Sequence, residues 1–327
     1  MSGLTIPSVG YKPFRFPQAY EFWKRQQQTH WLPEEVPMAD DVKDFHQKLT
    51  PAEVNLLTQI FRFFTQGDVE VNDCYHRHYL STFKPTEIVM MLTAFANMET
   101  IHVAAYSHLL DTVGMPESEY AAFLDYQAMK DKHDYLKQFN ADDPYELAKT
   151  MAVFGAFTEG LQLFASFAIL LNFPRWNRMK GMGQIVTWSV RDESLHCEGV
   201  MWLFHKWLEE HPEIDRKLLG IELRVACQEI VAHEDAFIDL AFEMGPVRGL
   251  EASEVKEYIR YIADMRMTQL GYSPIYGIKK NPLPWLAEIL NGVEHANFFE
   301  ARATEYSKSG MTGDFADVFR EIDGDSH

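Results

Sequence analysis

The chain has 327 residues, 46 % of them hydrophobic and 13 % aromatic, enough for one large domain or two small ones. Its formal net charge of −18 argues against a nucleic-acid partner, because phosphate binding needs a basic face. Cys74, Cys197 and Cys227 show no Cys-x-x-Cys spacing, and so sparse an odd set fits a reducing compartment better than a disulfide framework.

Met1 to Phe16 has no apolar core region after a basic start, so no secretory leader is read there. The first 50 residues are rich in proline and aromatics, and they are expected to wrap a surface rather than join a bundle. Thr50-Pro51-Ala52-Glu53 then reads as a helix start, with Thr as N-cap and Pro at the first helical position. Leu56, Leu57, Ile60, Phe61 and Phe64 follow at helical period. A second helix is predicted from Thr86 to Val113, stopped by Gly114 with Pro116 beyond. Asp143-Pro144 opens a third, whose apolar run reaches Leu171. That run, Leu163 to Leu171, is too short to span a bilayer. Further helices are predicted near 182–210, 215–244 and 252–270.

No segment alternates at period two with hairpin turns, so the fold class is all-α. The closing residues carry Gly310, Gly313, Gly324 and several Asp, and read as a flexible tail. The expected organisation is a wrapping segment over 1–50, a helical domain over 51–290 and a tail over 291–327.

Two Glu-x-x-His words carry the chemistry, Glu99 with His102 and Glu193 with His196. On a helix, residues three apart share a face, so each word aims a carboxylate and an imidazole at one point. With 28 Glu and 13 His in 327 residues, roughly one such word arises by accident, so placement matters more than number. Phe95, Met98, Ile101 and Val103 surround the first word, and Val186, Val190, Leu195 and Val200 the second. Burying Glu and His on an apolar face is costly unless they are paired or bound to metal. Two core histidines satisfied by nearby glutamates is the plainer reading, and spacing alone leaves it open.

Lone carboxylates occur in two other apolar stretches. Glu159 lies in Phe157-Thr158-Glu159-Gly160-Leu161, and Asp68 lies among aromatics, with Glu70 close enough to be mistaken for it. Two facing Glu-x-x-His helices plus one carboxylate from each of two others form a site for two metal ions in a four-helix bundle. Oxygen-rich ligands with only two imidazoles suit iron or manganese. Tyr106 stands four residues after His102 and seven after Glu99, on the same face. A core tyrosine bonded to a carboxylate is its ordinary reading; beside an oxidising metal pair it could lose an electron and a proton.

Over roughly Trp31 to Tyr306 the chain resembles the small, radical-generating subunit of class I ribonucleotide reductase. The resemblance is carried by Glu99, His102 and Tyr106, by Arg191-Asp192-Glu193-Ser194-Leu195-His196, and by the lone Glu159. Trp31-Leu32-Pro33-Glu34-Glu35, Asn297-Phe298-Phe299-Glu300 and Glu305-Tyr306 agree with it too. The family's first carboxylate stands 31 residues before the Glu of the first word, which selects Asp68 over Glu70.

The resemblance implies a ferritin-like helical bundle with a dinuclear metal site inside a four-helix core, extra helices around it, and a flexible C-terminal tail. It implies two metal ions per chain, iron first, with manganese pairs or a mixed pair as alternatives. Their ligands would be Asp68, Glu99, His102, Glu159, Glu193 and His196. A radical at Tyr106, shielded by Leu163 and Phe167, or an oxidised metal pair, would store the oxidising equivalent. It would travel by His102, Asp192, Trp31 and Tyr306 to a large catalytic subunit, docked through the tail, where ribonucleotides become deoxyribonucleotides. A cytoplasmic homodimer with neither nucleic acid nor membrane as partner is expected.

At Ser189, one turn before Glu193, the family commonly carries an apolar residue; the hydroxyl either alters the polarity of the pocket or points at the helix backbone, and the second is expected. Two other functions compete. A two-metal oxidase acting on its own small substrate would need an open apolar cavity beside the metals and neither Trp31 nor Tyr306. A metal-storage or structural bundle would need no redox residue at all.

Overall fold

The computed structural model describes residues 3–290, apart from the side chains of Thr65 and Gln66. The α-helices up to residue 269 are α1 (Pro17–Gln28), α2 (Ala39–Lys43), α3 (Pro51–Cys74), α4 (Leu80–Thr82), α5 (Thr86–Val113), α6 (Gln127–Leu136), α7 (Pro144–Met151), α8 (Leu163–Asn172), α9 (Lys180–Glu210), α10 (Arg216–Ala241) and α11 (Ala252–Gln269). Among the described residues there is no strand, only an isolated bridge between Val247 and Leu250.

Local chemistry sets several boundaries. The Thr50 hydroxyl accepts from the Glu53 amide at 3.3 Å while the Glu53 carboxylate takes the Thr50 amide at 2.7 Å. This reciprocal pair satisfies two amides that a helix start leaves open, and fixes the first turn of α3. Gly114, at φ 74, ends α5 in the left-handed conformation that glycine adopts without a Cβ penalty. Asp143 caps α7 through the amides of Tyr145 and Glu146.

α9 starts differently. Met179 precedes it at φ 48, a strained conformation for a side-chain-bearing residue, and supplies no cap of its own. Asp41 and Asp44 reach across from α2 and the turn after it. Asp41 accepts from the amides of Gly181 (3.0 Å) and Met182 (2.8 Å), and Asp44 from that of Met179 (2.9 Å). Carboxylates on open amides at a helix N-terminus also meet its dipole favourably.

The third bundle helix is not uniform. Between α7 and α8 the backbone runs as an 11-residue π-helix, Ala152–Gln162. Thr158 Oγ1 bonds the Val153 carbonyl five residues back, in step with the wider turn. Gly155 and Gly160, both poor α-helix formers, sit within it. They also permit close packing: a Cβ on Gly155 would meet Val200 Cγ1 at 2.5 Å, and one on Gly160 would meet Arg266 Nε at 2.6 Å. π-segments recur at functional sites, and this one carries Glu159.

α3, α5, the α7–π–α8 rod and α9 pack around a common core, with α10 and α11 against the outer side of the π-segment. Thr86–Val113 and Pro144–Trp176 are long and apolar enough to cross a membrane, but 61 % and 100 % of their most apolar windows lie inside the protein. Their apolarity fills the core. Within the segment expected only to wrap a surface, α1 packs against α5 and α9 and buries Phe22 and Gln26.

Candidate metal centre

Each of the four bundle helices carries buried acid on its inner face. Asp68 comes from α3, Glu99 and His102 from α5, Glu159 from the π-segment, and Glu193 and His196 from α9. All six are at most 2 % exposed. Glu99, Glu159, Glu193 and His196 each offer a ligand atom, and these atoms lie within 4.8 Å of one another. His102 Nδ1 faces the same carboxylates, 3.1 Å from Glu193 Oε1 and 3.6 Å from Glu99 Oε2. His196 Nδ1 lies 2.9 Å from Glu99 Oε1, 3.6 Å from Glu193 Oε2 and 4.0 Å from Glu159 Oε1. Asp68 borders the group, since the charges acting on it are those of His102, Glu99, Glu193 and His196, in that order. Glu70 turns elsewhere and pairs with His133.

The outer nitrogens fix the tautomers. His102 Nε2 faces Asp192 Oδ2 at 3.4 Å. Gln26 Nε2 donates to Asp192 Oδ1 at 3.2 Å, which turns Gln26 Oε1 toward His196 Nε2 at 3.1 Å. Each Nε2 therefore donates, and each neutral imidazole presents an Nδ1 lone pair to the carboxylates. A lone pair facing a carboxylate is repulsive unless a proton or a cation lies between them.

The buried atoms without a hydrogen bond test whether a metal pair fits. Asp68 Oδ2, Glu99 Oε1 and Oε2, His102 Nδ1, Glu159 Oε2, Glu193 Oε2 and His196 Nδ1 are all of this kind. A folded protein leaves only a few such atoms per hundred residues, scattered singly, so their concentration here is the informative fact. Seven on six converging residues are what a cation-binding cluster requires. The charge also balances: four carboxylates match two divalent cations when both imidazoles are neutral.

Titration behaviour follows from the same crowding. Burial pushes the Asp68 and Glu159 carboxyls well above their usual value. Burial acts on Glu99 too, but the imidazoles of His102 and His196 outweigh it and hold Glu99 below. Burial disfavours charge on both imidazoles. Asp192, Glu193 and Glu99 nonetheless hold His102 well above 6.5, and Glu193 and Glu99 hold His196 at about 10. In metal-stripped protein at neutral pH these rings therefore keep their protons, which a cation must displace.

Metal binding should accordingly release about two protons per chain from the imidazoles at neutral pH, and more where burial keeps the Asp68 and Glu159 carboxyls protonated. Calorimetry in two buffers of different ionisation enthalpy would read this; identical heats would refute it. The sign also applies to folding. A raised imidazole pKa stabilises the metal-stripped fold fully below 6.5, and that contribution fades as pH rises toward about 10.

Tyr106 lies on the same face of α5, buried, and its hydroxyl donates to Ser189 Oγ at 3.2 Å. The Ser189 side chain thus meets the phenol, contrary to the expectation that it would turn to its own backbone. Burial, reinforced by the Asp68 charge, pushes the Tyr106 phenol up. Phe64 stacks on the Tyr106 ring at 4.5 Å and 5°, and Phe167 stacks behind Phe64 at 5.9 Å. Phe167 therefore shields through Phe64.

From the centre a chain of polar contacts leads outward. Trp31 Nε1 donates to Asp192 Oδ2 at 2.8 Å, the oxygen that also faces His102. Arg191 approaches Asp192 Oδ1 at 3.3 Å and bonds the Thr29 carbonyl at 2.6 Å. Burial would raise Asp192, but His102, Arg191 and Trp31 hold it below the usual carboxylate range. Trp31 packs on Trp188 with ring centroids 5.1 Å apart. Tyr306 and the tail lie outside the described residues.

Three partners went unread in the sequence: Gln26, Phe64, and Tyr75, whose hydroxyl donates to Glu159 Oε1 at 2.8 Å. Phe64 could have been found, because it stands four residues before Asp68 on one helical face. Tyr75, seven residues after Asp68, shares that face by the same spacing, whereas Gln26 carries no comparable local signal.

Comparisons with known proteins point to one family. The family model described as "Ribonucleotide reductase, small chain" matches residues 8–282. The "Probable ribonucleoside-diphosphate reductase small subunit 048L" of Invertebrate iridescent virus 3 is 44 % identical over 330 residues, covering 95 % of this chain and 88 % of that protein. Among solved structures, the ribonucleotide reductase R2 subunit from Clostridium botulinum superposes with a TM-score of 0.79 at 21 % identity, covering 86 % of this chain and 91 % of that one. The dimanganese(II)-NrdF of Streptococcus sanguinis does so with a TM-score of 0.75 at 18 % identity, covering 87 % and 99 %. At such identities the two structures speak for the fold alone.

Proposed function

This chain belongs to the small-chain family of class I ribonucleotide reductase, as the small subunit of that ferritin-like oxidoreductase, and on that premise we propose that Asp68, Glu99, His102, Glu159, Glu193 and His196 hold two metal ions beside a redox-active Tyr106. The observation that carries the reading is the set of seven buried, unbonded ligand atoms on those six residues. Oxidised, such a pair supplies the one-electron oxidant that protein side chains alone do not.

The chain's own residues divide the remaining work. Glu99 and Glu193 each face both imidazoles, and with Asp68 and Glu159 they would supply the four carboxylates that hold the pair. Gln26 and Asp192 hold the Nε2 protons and so keep both Nδ1 lone pairs available. Tyr106 gives up its electron and proton and stores the equivalent behind Phe64 and Phe167. His102, Asp192 and Trp31 then form the inner part of the route to the large catalytic subunit, each group fixing its neighbour's proton.

Tyr306 and the tail over 291–327, outside the described residues, would continue that route and dock the large subunit. Iron is the first choice of metal. The same oxygen-rich ligands accept manganese, which the Streptococcus sanguinis protein carries by name. A cytoplasmic homodimer completes the reading, and the three free, buried cysteines suit a reducing compartment.

Low-temperature electron paramagnetic resonance with elemental analysis of reconstituted protein tests it. About two metal ions per chain are expected, together with a tyrosyl signal that Tyr106→Phe removes without removing metal. Fewer than about one ion per chain would sink the paired site. A two-metal oxidase with its own substrate is disfavoured by the match of residues 8–282 to the ribonucleotide reductase small chain and by the 44 % identity to a viral small subunit.

A further inference from the structure

We propose that Ser189 is a positioning residue for Tyr106, keeping the phenol oxygen in a hydrogen bond both before and after its oxidation; this rests on the reading of Tyr106 as the stored radical. Tyr106 makes one hydrogen bond among the described residues, to Ser189 Oγ at 3.2 Å, and both side chains are buried. The neighbouring Ser194 donates its hydroxyl to the Val190 carbonyl at 2.7 Å. Ser189 makes no such backbone bond among the described residues, so its own proton remains uncommitted. The Tyr106 ring lies parallel to Phe64, with Phe167 behind. That stack resists a swing of the ring and leaves the oxygen at Ser189.

A hydroxyl is both donor and acceptor, and its hydrogen rotates to suit. The phenol donates, so Ser189 accepts. On one-electron oxidation the electron passes to the oxidised metal pair and the phenol O–H bond breaks. The proton goes to a buried carboxylate of the same cluster. The phenoxyl oxygen can now only accept. Ser189 needs only to rotate about its Cβ–Oγ bond to become the donor. An alanine there would leave the phenoxyl oxygen without a partner in a buried site, where an unmade hydrogen bond is most unfavourable.

The test compares wild type, Ser189→Ala and Ser189→Thr, each reconstituted with iron and dioxygen. High-field electron paramagnetic resonance and deuteron double resonance would be recorded after exchange into D₂O. The wild-type radical should show an exchangeable deuteron coupling. Ser189→Ala should lose it and shift the lowest-field g value upward, and Ser189→Thr should restore both. A wild-type radical without that coupling, or the same coupling in Ser189→Ala, overturns the proposal.

If metal loads but no tyrosyl radical forms, the reading of Tyr106 fails, and the hydrogen bond is read separately. The Raman ring doublet of unoxidised Tyr106 is isolated by subtracting the Tyr106→Phe spectrum. A shift in Ser189→Ala supports the bond in the resting protein and limits Ser189 to that state. An unchanged doublet removes it altogether.

Discussion

Replacing Glu99 with alanine should reduce metal content from about two ions per chain to fewer than about one. Both Glu99 oxygens are buried without a hydrogen bond, and they face His196 Nδ1 at 2.9 Å and His102 Nδ1 at 3.6 Å. A carboxylate that touches both imidazoles serves both halves of the site. Its loss also leaves three carboxylates for two divalent cations, so the charge no longer balances. Glu159→Ala should be milder, because of the two imidazoles Glu159 meets only His196, at 4.0 Å, and should lose one ion.

Glu70→Ala is the control. Glu70 stands two residues from Asp68, but its carboxylate pairs with His133, so metal content should not change. Metal analysis with circular dichroism reads all three variants. Full loading in folded Glu99→Ala would remove Glu99 from the site. Metal loss in Glu70→Ala would reverse the choice between the two acids on α3.

What could be read in the sequence was whatever depends on local chemistry. Thr50-Pro51 and Gly114 bound α3 and α5 as expected, because capping and left-handed backbone are decided within a few residues. The Glu-x-x-His words were legible because three-residue spacing and helical geometry are the same fact. Asp68 was separable from Glu70 only through the family resemblance; in space, their different partners divide them.

What escaped depends on distant partners. The cap of α9 comes from Asp41, 140 residues before the Gly181 it serves. A 3.6-residue template cannot register the π-segment, whose wider turn sets where Glu159 points. Gln26 lies in a stretch read only as wrapping, and its two bonds come from its tertiary position beside Asp192 and His196. Ser189 followed a sound local rule, back-bonding to its own helix, until a buried phenol offered a better use for its oxygen.

The same outer contacts yield the second large effect. Trp31→Phe should leave the metal pair and the Tyr106 radical in place, yet lower nucleotide reduction with the large subunit by about a hundredfold or more, equivalent to roughly 2.7 kcal/mol. Phenylalanine keeps a buried aromatic ring against Trp188 but removes the Nε1–H that donates to Asp192 Oδ2 at 2.8 Å. Asp192 retains His102 and Arg191 as partners, so the His102 tautomer, and with it the metal site, should survive.

Asp192→Ala cuts deeper. It strips Trp31, His102, Gln26 and Arg191 of a shared acceptor, each in a buried or half-buried setting where an unmet donor costs about 1–3 kcal/mol. That variant should lose metal as well as turnover, because His102 is no longer held with its proton on Nε2. The contrast between the two variants separates a route from a scaffold. Full turnover in Trp31→Phe, with its radical intact, would mean that the oxidising equivalent leaves by another path. Loss of metal in Trp31→Phe would mean that the indole belongs to the support of the site rather than to the route.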